Sequence, residues 1–238
     1  MSDTEKSIDY SSPIDEDFQD PNWDEEVKFE EIVIKPEFKF IEGNEKIESF
    51  YISNITVTQE LYLKVMAENP SDNIGNKNPV DNVSWFDAII FCNKLSNLKK
   101  IPPYYNIEED KVISHNELSK GYRLPTKKEW IFAAVCGNQK AQYKFSGSND
   151  ISEVGWFNCN SSLKTKSCGQ KKANSIGLYD MSGNIWEWTS DKKGETVYVC
   201  GGSAKSAAEE CEILQQVNFS YPANTKSPFI GFRLVKSY

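Results

Sequence analysis

The stretch GLYDMSGNIWEWTSD, residues 177–191, carries the densest signal in this chain of 238 residues. Asp180 and Glu187 stand seven apart, with a Ser-Gly-Asn turn between them. If that turn folds the chain back, the two carboxylates converge and the backbone carbonyls of Gly183 and Ile185 point the same way. Hard oxygen ligands of this mix suit Ca²⁺, which takes ~6–8 of them. The plainer alternative makes Asp180 a turn cap and Glu187 a surface acid. Spacing leaves both open.

The segments before this stretch read as helices and strands. Thr58 opens a helix that runs through QELYLKVMAEN to the Asn69-Pro70 turn. Ser84, with Asp87 three residues on, makes a capping box. Ala88, Phe91, Cys92, Leu95 and Leu98 recur behind it at helical spacing. Thr126 and Glu129 repeat the box, and Gly137 closes that third helix. VKFEEIVI (27–34), FKFIEG (38–43) and IESFYISNITVT (47–58) read as strands. Beyond Gly137 the helical signal fades into short strands punctuated by Gly, Asn and Ser. The fold expected is α+β, with two or three helices on irregular β-structure and much loop.

The formal net charge of −8 sits at one end. Residues 1–31 hold twelve acidic residues against Lys6 and Lys28, and the remainder is close to neutral. Residues 1–26 therefore read as a mobile acidic tail, and residues 27–238 as one domain. No basic footprint points to nucleic acid, and no apolar run is long enough for a transmembrane helix. The opening MSDTEKSIDY lacks the basic and apolar regions of a signal peptide. Six cysteines contain no C-x-x-C pair, and His115 is the single histidine, so a zinc cluster is not expected. Cys92 reads as a buried thiol and His115 as a solvated loop residue. Cys159 and Cys168 could pair, which spacing does not decide.

The order of six landmarks adds a resemblance. ITVTQELYLKVM, NPVDNVSWFDAIIFCNKLS, GYRLPTKKEWIFAA, GLYDMSGNIWEW, GGS and GFRL follow one another along the chain. From about residue 38 to 235 it resembles the sulfatase-modifying-factor family, the fold of formylglycine-generating enzymes. The resemblance implies a C-type-lectin-like fold and places Asp180, Gly183, Ile185 and Glu187 at a structural Ca²⁺ site. The family's other calcium site has no evident acidic counterpart between Trp156 and Gly169.

The same resemblance bears on chemistry. The family's oxidase uses a copper-binding cysteine pair after GGS, and those places here are Ser206 and Cys211. A hydroxyl is neither a soft Cu(I) ligand nor a disulfide partner, so no enzyme activity is expected. A shifted Cys200–Cys211 pair stays as the alternative, beside a purely structural accessory role. A related branch with iron held by three histidines finds only His115. The sugar-binding tripeptides EPN and QPD of lectins are absent.

What remains is binding. Between GGS and GFRL the chain has neither helical nor strand period, and it strews aromatics among Pro and Asn. It resembles the variable proteins of diversity-generating retroelements, whose variable segment runs between those landmarks. Residues 203–230 are thus expected to form a diversified surface on a rigid scaffold. Its ligand-facing positions would be Ala204, Lys205, Ser206, Ala208, Glu209, Leu214, Gln215, Val217, Phe219, Tyr221, Ser227 and Phe229. Ile230, Phe232 and Leu234 belong to the core. A protein ligand, a monomeric state and cell-surface display as a lipoprotein are expected, the leader not being visible in this sequence. A cytoplasmic location is the alternative.

Overall fold

The computed structural model describes residues 36–108, 111–137, 143–215 and 219–238. The acidic tail and the strand expected over 27–34 lie outside these residues.

The first two strands, β1 (Phe38–Ile41) and β2 (Phe50–Ser53), pair antiparallel. Helix α1 (Gln59–Met66) follows, with the Thr58 hydroxyl accepting from Leu61 N. It ends earlier than its sequence pattern, because Ala67 turns left-handed at φ 62°. Helix α2 (Trp85–Leu98) forms both halves of the Ser84–Asp87 box. Its Ala88, Phe91, Cys92 and Leu95 are fully buried, whereas Leu98 in the last turn is exposed. Phe91 stacks on Tyr62 at 5.4 Å and meets Phe232 edge-on at 5.2 Å, which ties both helices to the C-terminal landmark.

An unexpected hairpin comes next, β3 (Tyr105–Glu108) with β4 (Lys111–His115). His115 therefore sits in a strand, stacked 5.4 Å from the Tyr104 ring. Strand β5 (Tyr122–Arg123) leads to α3 (Lys127–Ala134), whose Thr126–Glu129 box is also complete. The short α4 (Ile151–Val154), capped by Asp150, is a helical turn that the sequence pattern did not announce.

The hairpin β6 (Trp186–Lys193) and β7 (Thr196–Cys200) carries the opening stretch into the second large sheet. Two 3-10 turns, Ala208–Cys211 and Ile213–Gln215, occupy what reads in sequence as loop. Strand β8 (Ser220–Pro222) pairs with β7, and β9 (Ile230–Gly231) pairs parallel with β6. Finally β10 (Val235–Ser237) inserts between β2 and β5. The sheets are thus ordered β1-β2-β10-β5 and β8-β7-β6-β9. Phe50, Ile52, Trp130, Leu178 and Val235 fill a core between the first sheet, α3 and the quoted stretch.

Candidate functional site

Strand β6 sets out the site because successive side chains point to opposite faces. Glu187 goes inward. Its Oε2 accepts from Arg233 Nε at 2.6 Å and from Trp130 Nε1 at 2.7 Å, and its Oε1 accepts from Arg233 Nη2 at 2.7 Å. Arg233 Nη1 also donates to the Ser53 carbonyl and Nη2 to the Tyr179 carbonyl. Both charged side chains are wholly buried. Glu187 is therefore no surface acid; it locks the WEW and GFRL landmarks together.

The turn before it depends on one glycine. Gly183 has φ +91°, and a Cβ there would lie 2.3 Å from the Trp156 carbonyl oxygen. Asn184 holds the neighbouring loop, its side chain exchanging hydrogen bonds with the Lys166 backbone. Asp180 does not cap its own turn: its Oδ2 accepts from Gly169 N at 2.7 Å. Its Oδ1 is buried without a hydrogen-bond partner among the described residues. Burial pushes the Asp180 carboxyl up to about 6, against the pull of the Gly169 N–H and Arg233.

These facts divide the four expected calcium ligands. An orphaned, buried carboxylate oxygen at Asp180 fits a hard cation. Glu187 fits less well, since Arg233 and Trp130 already meet both its oxygens. Among the described residues no three acidic, cysteine or histidine side chains gather at a point.

The cysteine positions are equally specific. Cys211 lies in the first 3-10 turn, fully buried, and its thiol is pushed up to about 12 by burial. A Cβ on Gly202 (φ +79°) would come 2.4 Å from the Cys211 sulfur, so the GGS backbone packs directly on it. At the other family position, the Ser206 hydroxyl lies 3.3 Å from that of Ser203. Cys200 is a buried free thiol with its pKa raised well above the ordinary value by burial. Cys159 and Cys168 are free too, and Cys168 contacts the Thr56 hydroxyl at 3.2 Å.

On the other face of β6, Trp186 packs its ring 4.6 Å from Phe219. Around it opens a cavity of about 320 Å³ with Ser203, Lys205, Ser206, Glu210, Tyr221, Thr225, Ser227, Phe229 and Ile230 in its walls. Both ends of the 203–230 segment therefore meet at one place. Lys205 lies 5.8 Å above the Phe229 ring.

Of the positions expected to face a ligand, Lys205, Ser206, Tyr221, Ser227 and Phe229 line this cavity. Glu209, Leu214 and Gln215 are exposed, while Ala208 and Phe219 are half-buried. Ala204 is a correction: it is fully buried, its N–H bonded to the Asn184 carbonyl, so it supports the turn rather than the surface. Val217 lies outside the described residues. Ile230, Phe232 and Leu234 are core. The pattern missed Trp186, Ser203, Glu210 and Thr225. For Trp186 the signal existed, in its alternation with Glu187.

A scaffold segment backs the C-terminal half of this surface. Trp85 N donates to the Ala223 carbonyl at 3.1 Å and Asn82 N to the Ser227 carbonyl at 2.9 Å. Beside them Asp81 is fully buried, with Oδ1 accepting from Asp72 N and Oδ2 unpartnered among the described residues. Burial raises its carboxyl to about 6, helped by the nearby Asp72 charge.

Comparison with known proteins accords with this architecture. The family profile of the sulfatase-modifying factor enzyme 1-like domain matches residues 35–238. Chaperone protein LppX of Paenibacillus barcinonensis is 34% identical over 236 residues, covering 83% of this chain and 84% of that protein. The formylglycine-generating enzyme of Thermomonospora curvata is 26% identical over 140 residues, covering 52% of this chain and 37% of the enzyme. Among solved structures, Treponema denticola variable protein 1 superposes with a TM-score of 0.71 at 27% identity, covering 86% of this chain and 94% of that one. The lectin-like α+β fold expected from the sequence is the fold observed.

Proposed function

The chain belongs to the family of sulfatase-modifying factor enzyme 1-like domains, and on that premise we propose that it is a non-enzymatic protein-binding member. Residues 203–230 are its binding surface, carried on a rigid lectin-like scaffold. One observation carries the reading: both ends of that segment converge on the Trp186 cavity, where five of the positions picked from sequence stand together. A variable protein shares the fold. A relative over most of the chain is named a chaperone, a class of protein that works by binding other proteins.

The test is to treat the segment as a paratope. A display library randomised at Lys205, Leu214, Gln215, Tyr221, Ser227 and Phe229 should fold and yield binders to an arbitrary target such as hen lysozyme. Loss of folding throughout the library would sink the reading. The oxidase alternative has its own check. A peptide carrying Cys-x-Pro-x-Arg, incubated with the protein and Cu(I), should show no aldehyde by mass spectrometry. Turnover that disappears in Cys211→Ser would restore the enzyme.

We also propose one structural Ca²⁺ beside the Met181–Asn184 turn, held chiefly by Asp180, with the backbone carbonyls of Gly183 and Ile185 as the further ligands that the resemblance implies. The Gly183 carbonyl also accepts from Ile185 N at 2.9 Å. The ion's support is the orphaned Asp180 oxygen.

A further inference from the structure

A second cavity, of about 480 Å³, is lined by residues that interleave with those of the first along the stretch 221–227. Tyr221, Thr225 and Ser227 line the first cavity, whereas Ala223, Asn224 and Lys226 line the second. Beyond that shared stretch the second cavity is built from scaffold: Trp85 and Phe86 at the start of α2, Val112 of β4 and Lys192 of β6.

Its charge differs from that of its neighbour. The first cavity carries one cation and one anion, Lys205 and Glu210. Among the described residues, those lining the second include two lysines and no acid. Lys226 Nζ lies 2.9 Å from Asp87 Oδ2. That carboxylate also accepts from the backbone and hydroxyl of Ser84. Burial would raise the Asp87 carboxyl, but the hydrogen bonds from Lys226 and Ser84 outweigh it and hold the group below its ordinary value. Asp87 thus stays an anion and neutralises one lysine. Lys192 is different: its ammonium hovers 4.5 Å over the Trp85 ring and makes no ion pair among the described residues.

We propose that this cavity is a second subsite of the binding face, taking an acidic peptide segment of the partner, with a carboxylate on Lys192 and an adjacent apolar side chain against Trp85 and Phe86. The proposal rests on the reading of residues 203–230 as the binding surface and extends that surface onto the scaffold. A cation held above an aromatic ring is an attractive station for a carboxylate. A nucleic acid needs a line of cations along its phosphates. A cavity with one lysine unpaired among its described residues, on a chain of net charge −8, does not supply it.

The experiment is an NMR titration of the ¹⁵N-labelled full chain with the peptide acetyl-Asp-Glu-Phe-Glu-Asp-amide. Saturable shifts are expected at the Trp85 indole and at the Ala223 and Asn224 amides. Lys192→Glu should weaken binding about tenfold or more, and Lys192→Arg should retain it, as befits a rim charge. Raising salt from ~20 to ~500 mM should weaken binding several-fold through screening. Equal shifts with a peptide bearing Lys for every acid would overturn the site. So would shifts confined to Lys205 and Phe229, which leave the first cavity's reading intact. Conversely, failure of the display library leaves this titration unaffected, since Trp85 and Lys192 are not randomised in it.

Discussion

Glu187 and Trp186 are adjacent in one strand, yet they belong to two regions under opposite demands. Both carboxylate oxygens of Glu187 are spoken for. Arg233 and Trp130 hold both its oxygens, and two further guanidinium N–H groups reach backbone carbonyls. Around Trp186 the walls are hydroxyls, Lys205, Glu210 and the partly exposed rings of Tyr221 and Phe229, set about an open cavity. The first region fixes where the second stands: Phe232 and Arg233 lie directly after β9, the strand that closes the cavity. A surface can change its side chains freely only where the positions beneath it cannot.

The most severe test of that contrast strands one member of the buried pair. Arg233→Ala or Glu187→Ala leaves an uncompensated charge inside, and each should cost roughly 3–5 kcal/mol. Urea unfolding of the purified variants measures it. A loss under ~1 kcal/mol, the level of exposed ion pairs, would mean that Glu187 is reached by water and the contrast is false. Replacing both by apolar residues should recover much of the loss, because the desolvation cost leaves with the charges.

Next in size come the two buried carboxyls that each keep one oxygen without a partner among the described residues. Asp81 and Asp180 both have their pKa raised to about 6 by burial. A carboxyl raised in the folded state stabilises fully below its unfolded value and loses that contribution as pH rises through its folded value. Stability in chelator should therefore fall between about pH 4 and pH 6. Each tenfold change in proton affinity between the folded and unfolded chain is worth roughly 1.4 kcal/mol, so the fall is readily measured. Asp81→Asn should flatten part of this slope and raise stability at neutral pH. Calcium should remove the Asp180 part, adding roughly 2.7 kcal/mol at a hundredfold excess over Kd. Asp180→Ala should abolish that calcium response. A pH profile that is flat in chelator would show both carboxyls solvated, and melts unmoved by calcium after exhaustive chelation would remove the ion from the turn.

How much of this was legible in the sequence follows the same divide. The capping boxes at Ser84 and Thr126 are local chemistry, and both form as written. The landmark order located the fold. What sequence did not show was long-range. Glu187 is separated by 46 residues from the arginine that neutralises it, and its spacing from Asp180 left a metal ligand and a surface acid both open. The hairpin over 105–115 and the 3-10 turns after Ala207 are too short to impose a period. Ala204 looked like one more small residue of an aperiodic loop. Only its hydrogen bond to Asn184 reveals it as scaffold.

The mildest changes separate the rings of the surface from those of the core. Tyr221 is 37% exposed and makes no ring contact among the described residues, so Tyr221→Ala should cost under ~1 kcal/mol. Phe219 and Phe229 are only half-buried, and Phe219 leans on Trp186, so each should cost an intermediate ~1–2 kcal/mol. Phe232→Ala, from a fully buried ring between Tyr62 and Phe91, is the control and should lose roughly 3–5 kcal/mol. Denaturant melts of the four single variants give the ranking without any ligand. If Tyr221 costs as much as Phe232, the ring is structural and the face narrows to Lys205, Ser227 and the exposed 3-10 turn. If Phe219 costs almost nothing, Trp186 keeps its place without it, and that ring is free to serve the partner.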